Sequence, residues 1–167
     1  MYILGLDTTA VTATAAVCRA ENGVITEHAH FSLKNGLTHS ESLLPLIDGV
    51  LKELGVSPKD IGLVSVSVGP GSFTGVRIGV ATAKGFAYAQ GIPCAGVSTL
   101  EALAKNCAGF RGVVCPVMDA RRSQFYNALF KDGKRLCPDR CIAFEEILAR
   151  IPARYPLLPR SARNRSR

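Results

Sequence analysis

No apolar run in the 167 residues approaches the roughly 18 that a membrane span requires. No basic stretch precedes MYILGL either, so the N-terminus reads as a strand stopped by Asp7 and not as a signal peptide, and the chain is expected in the cytoplasm. Also missing are the residues on which most phosphoryl-transfer and hydrolytic chemistry depends. There is no G-x-x-x-x-G-K-[ST], hence no lysine to neutralise outer phosphates and no adjoining hydroxyl to hold magnesium. The centre of Gly71-Ser72-Phe73-Thr74-Gly75 is Phe73, where a nucleophile elbow requires serine. H-E-x-x-H is absent, and the nearby His28, His30 and His39 read as exposed strand histidines before they read as a metal set. Only Cys137 and Cys141 form a close cysteine pair, without the second pair or neighbouring histidine that zinc would need; Cys18, Cys94, Cys107 and Cys115 read as small hydrophobes in apolar surroundings. No catalytic residue and no metal ligand is assigned.

Acid is lacking from one end of the chain. From Met1 to Glu146, 14 Lys and Arg face 13 Asp and Glu, so all but one of the seven net positive charges come from six arginines between Arg150 and Arg167. Such a tail cannot pack a core and is expected to be disordered; it could touch RNA nonspecifically or mark a chain that ends abnormally. The rest, at 47% hydrophobic and 20% charged, has the composition of a compact fold.

Residues 2–6, 12–18 and 24–32 read as strands, the last two joined by the turn signal Asn22-Gly23. The period then changes. Leu43, Leu44, Ile47, Val50, Leu51 and Leu54 recur at helical spacing over 39–54, with Thr38 and Glu41 in the form of a capping box. A strand at 61–68, a helix from the glycine segment to Gln90, a strand at 93–97 and a helix from Ser98 follow. This order predicts an α/β architecture, a mixed sheet flanked by helices of the ribonuclease H-like kind.

The beginning of the chain is echoed later. Asp7 ends an apolar strand ahead of a hairpin that turns at Asn22-Gly23; Asp119 ends GVVCPVM ahead of QFYNALF and the turn Asp132-Gly133. We therefore expect a first lobe over 1–108, a partial second lobe over 109–155 and a basic tail over 156–167. The second lobe reads as cut short after one helix, from about Phe144 to Ile151.

The segment GPGSFTGVRIG, residues 69–79, leaves more than one use open. A glycine loop at a helix N-terminus offers N–H groups to an anion, so Gly71 and Ser72, together with Asp7 and Thr8 at the end of the first strand, are candidate nucleotide or anion contacts. Alternatively, Gly75, Gly79, Ala83 and Ala87 form a row of small residues along which another backbone can approach. On helix 39–54, Leu43, Ile47, Val50 and Leu54 make one apolar line, and Leu44 and Leu51 a second. Either helix could simply cover its own sheet.

Taken together, LGLDTT (4–9), HSESLLP (39–45), GPGSFTGVRIG (69–79), GVSTLEALA (96–104) and MDARRSQFY (118–126) closely resemble the TsaB (YeaZ) family. The resemblance implies a duplicated, actin-like ribonuclease H-like fold whose second lobe is incomplete here. It further implies a non-catalytic subunit in the threonylcarbamoylation of the adenosine next to the anticodon of tRNA. The expected partners are a TsaD-like paralogue, which performs the transfer, and a TsaE-like ATPase; tRNA is met indirectly, no membrane is involved, and a homodimer in isolation stays open. ATP and a metal ion are expected on the partner subunits and no cofactor on this chain. Carried onto this sequence, the pairing surface comprises Leu43, Leu44, Ile47 and Leu51 with Gly75, Arg77, Gly79 and Ala83. On that expectation Gly79→Leu or Leu43→Glu would part the subunits and leave the monomer folded. The remaining alternative is an actin-like ATPase or kinase-like enzyme with nucleotide held between Asp7, Thr8 and Asp119.

Overall fold

The computed structural model describes residues 1–34 and 39–150. The Thr38 cap, the end of the last helix at Ile151 and the arginine tail lie outside them. Three strands open the chain: β1 (Tyr2–Asp7), β2 (Ala13–Glu21) and β3 (Val24–Leu33). Asn22 and Gly23, both left-handed at φ +50° and +78°, make the tight turn between β2 and β3. Helix α1 (His39–Glu53) leads through a single 3-10 turn at Pro58–Asp60 to β4 (Ile61–Ser67), then α2 (Phe73–Gln90), β5 (Cys94–Val97) and α3 (Thr99–Lys105).

The first sheet has the order β3-β2-β1-β4-β5, with β1, β4 and β5 parallel and the β1-β2-β3 meander antiparallel. This is the mixed, ribonuclease H-like sheet expected. Period-two alternation sends Leu4 and Leu6 of β1, Ala13, Ala15 and Val17 of β2, and Val64 and Val66 of β4 to one face. Helices α1 and α2 cover that face with Leu43, Leu46, Ile47, Val50 and Leu51, and with Ala83 and Ala87. Each fully buried leucine, isoleucine or valine there contributes about 1.5–3 kcal/mol.

The second part departs from a simple copy of the first. The run GVVCPVM divides at the buried Pro116 into β6 (Val113–Val114) and β7 (Val117–Arg121), and QFYNALF divides into β8 (Gln124–Asn127) and β9 (Phe130–Lys131). With β10 (Lys134–Arg135) and β11 (Arg140–Ala143), these strands form two small sheets, β10-β9-β6 and β11-β8-β7, followed by α4 (Phe144–Arg150). The echoed turn is kept, since Asp132 and Gly133 repeat the left-handed pair at φ +51° and +75°. Leu100 of α3 is wholly buried with Ala128 and Phe130. Helix α3 thus contributes to the second hydrophobic core.

A polar pin holds β8 to β11. Asn127, fully buried, accepts from Arg140 Nε and Nη2 at 3.0 and 2.7 Å through Oδ1 and donates to the Phe125 carbonyl at 3.0 Å. Arg140→Met keeps the aliphatic stem but strands Oδ1 without either donor. A loss of about 1–3 kcal/mol is expected in a urea melt, and a smaller loss in Arg140→Lys.

Candidate functional site

At the end of β1 the chain turns on its own polar side chains. The Thr9 N–H and hydroxyl both donate to Asp7 Oδ1, at 2.8 and 2.7 Å. Thr8 points the other way, and its buried hydroxyl donates to the Gly75 carbonyl at 2.7 Å. Above this turn begins α2, capped by Ser72, whose Oγ accepts from the Gly75 N–H at 3.2 Å and whose own N–H donates to the Thr9 carbonyl at 2.7 Å. Three glycines make that approach feasible. A Cβ on Gly71 would overlap the Thr9 carbonyl oxygen, one on Gly75 the Thr8 carbonyl oxygen, and one on Gly79 the Thr8 hydroxyl.

The structure gathers Asp7, Thr8, Gly71 and Ser72 at one corner, where Asp7, Thr8 and Ser72 make hydrogen bonds within the chain and Gly71 packs against the Thr9 carbonyl. The Thr8 hydroxyl and one Asp7 oxygen are engaged inside the chain. Asp119 forms a matching turn, its Oδ1 accepting from the Arg121 N–H at 2.7 Å. A cavity of about 370 Å³ opens elsewhere, beneath α3, where Ala104, Phe110, Val114 and Phe130 meet Lys105 and Arg111.

Most residues assigned to a pairing surface face inward within this chain. Leu43, Ile47 and Leu51 are 1%, 4% and 5% exposed and belong to the core under α1; Gly75, Gly79 and Ala83 are buried against the chain's own turn and sheet. The row of small residues serves close packing within the subunit. Gly79→Leu and Leu43→Glu would consequently damage the fold itself. Leu44 and Arg77 do face outward: Leu44 is 62% exposed, and the Arg77 guanidinium lies 4.0 Å from the ring centroid of Phe73, itself 70% exposed.

Both helix starts adjoin one turn, because His39 Nε2 lies 2.8 Å from the Ala10 carbonyl oxygen and Ser72 bonds to Thr9. Exposed along the chain near these starts are Leu44 and Pro45 in the second turn of α1, Phe73 and Arg77 in the first two turns of α2, and Val11 in the turn itself. Sequence reasoning missed Val11 and Phe73. The available signal was a large aromatic residue in the first turn of α2, off the line of small residues and four positions before an arginine.

The cysteines need one correction, since Cys94 and Cys107 are exposed while Cys18 and Cys115 are partly buried. Burial pushes the Cys18 thiol up; at Cys115 burial also pushes up, opposed by the Arg140 guanidinium and assisted by Cys137. Both are therefore poor thiolate sources at neutral pH. Among the described residues no three His, Cys, Asp or Glu side chains cluster to hold a metal ion, and no helix is long and apolar enough to cross a membrane.

The family model for TsaD, tRNA N6-adenosine threonylcarbamoyltransferase, matches residues 10–160. The chain is 39% identical over 152 residues to the tRNA threonylcarbamoyladenosine biosynthesis protein TsaB of Bacillus subtilis strain 168, covering 89% of this chain and 65% of that protein. It is 36% identical over 133 residues to the protein of the same name from Escherichia coli K12, covering 78% and 55%. The chain thus spans less than two thirds of the length of either curated relative. Among solved structures, YeaZ from Pseudomonas aeruginosa matches with a TM-score of 0.75 at 24% identity over 96% of this chain and 71% of that one, a likeness of fold.

Proposed function

Because the chain belongs to the TsaB (YeaZ) family, we propose that it serves tRNA threonylcarbamoyladenosine biosynthesis as a non-catalytic subunit that pairs with a TsaD-like paralogue. The observation that carries this reading is the exposed apolar end of the first lobe, where Val11, Leu44 and Phe73 stand 73%, 62% and 70% exposed around the starts of α1 and α2. Large apolar side chains left exposed near the starts of two neighbouring helices favour a protein partner. Arg77 stacked on Phe73 suits the same use, since aromatic and arginine side chains are enriched in interface centres. That the TsaD family model also matches this chain supports pairing between two subunits of like fold.

On this reading the paralogue performs the transfer to the adenosine next to the anticodon, a TsaE-like ATPase joins the pair, and ATP and a metal ion sit on those subunits. The same surface would account for a homodimer when no paralogue is present. The test is co-purification of the full chain with the TsaD of its own organism. Wild type is expected to elute as a heterodimer, and Phe73→Ser/Arg77→Glu to weaken pairing at least about tenfold with an unchanged melt. Pairing of undiminished affinity in that variant would reject this surface.

A further inference from the structure

The hairpin between β7 and β8 does something the pairing reading does not use. Its turn holds three consecutive residues other than glycine in the left-handed region, Arg121, Arg122 and Ser123, at φ +67°, +50° and +58°. L-residues resist that region because Cβ crowds the backbone, and asparagine or glycine relieves such a turn elsewhere in this same chain, at Asn22-Gly23. Here the turn carries two arginines instead. Both are exposed, and among the described residues neither guanidinium has an ion-pair or ring partner. Asp119, two residues before Arg121, turns Oδ1 to the Arg121 N–H and so braces the turn.

The matching turn of the first lobe provides the contrast. Asp7 braces Thr9 in the same way, but Thr8 and Thr9 are buried, uncharged and covered by α2. In the second lobe the turn is uncovered and positively charged. Left-handed backbone that holds exposed, unpaired guanidiniums at a hairpin tip suits a ligand with regularly spaced, exposed anionic oxygens. The tip has no exposed large apolar side chain between Asp119 and Gln124, so it lacks what a membrane-inserting loop would carry.

We infer that the β7–β8 hairpin tip contacts the phosphate backbone of RNA through Arg121 and Arg122. The choice of RNA among phosphodiester polymers rests on the proposed function; the contact itself rests on the hairpin.

The experiment titrates a labelled anticodon stem-loop RNA with the full chain alone, by fluorescence anisotropy over a series of salt concentrations. Arg121→Ala/Arg122→Ala is expected to lower the magnitude of the slope of log K against log salt by about 1.5 and to weaken binding about tenfold at low salt. Arg121→Lys/Arg122→Lys keeps the charge and should keep the slope. A slope unchanged in the alanine variant would overturn the proposal and leave the arginines beyond residue 150 as the contact. A changed affinity for phosphatidylserine vesicles with unchanged RNA binding would overturn it in favour of a membrane. Circular dichroism melts of each variant separate a lost contact from a lost fold, and co-purification with the paralogue is read independently.

Discussion

Gly75→Ala is expected to lower the stability of the folded chain by about 3–4 kcal/mol, enough to unfold much of it if the total lies near the low end of the usual 5–15 kcal/mol. The added methyl would occupy the place of the Thr8 carbonyl oxygen, which is backbone and cannot swing aside. Helix α2 would have to lift from the β1–β2 turn, and with it would go the bond from the Thr8 hydroxyl to the Gly75 carbonyl. Gly85 provides the contrast within the same helix. It has nothing within 4 Å of a built Cβ, so Gly85→Ala should stabilise by about 0.5–1 kcal/mol through helix propensity alone. Urea denaturation of the two variants checks the claim; equal and small effects would mean that α2 does not sit on the turn as described.

That contrast also shows what could be read from the sequence and what could not. The order of strands and helices was legible because local signals were strong: Asn22-Gly23 sets one hairpin, and the leucines of 39–54 recur at helical spacing. The existence of a row of small residues at Gly75, Gly79 and Ala83 was equally legible. Its direction was not, because a period of four gives the same pattern for a helix lying on its own turn and for one awaiting a partner. Deciding between them requires Thr8, 67 residues away, which no local pattern connects to Gly75. The second lobe hid more. Pro116 interrupts what reads as a single strand, and Arg121-Arg122-Ser123 carries none of the glycine or asparagine that normally announces left-handed backbone.

Adjacent leucines on α1 allow folding and pairing to be separated by a single position. Leu43→Glu is expected to cost at least about 4 kcal/mol, since a 1% exposed side chain among Ile47, Val50 and the first sheet would be replaced by a carboxylate with no partner there. Leu44 is turned roughly 100° around the helix from Leu43 and stands 62% exposed, so Leu44→Glu should leave the melt within about 0.5 kcal/mol of wild type. If the shared end of α1 and α2 is the pairing surface, Leu44→Glu should nevertheless weaken association with the TsaD-like subunit by at least about tenfold, because a charge is placed where an apolar contact is desolvated. Loss of folding in Leu44→Glu would contradict the outward placement of this side chain. Normal folding with normal pairing would keep the fold and remove the start of α1 from the interface, leaving Phe73 and Arg77 of α2 to carry it alone.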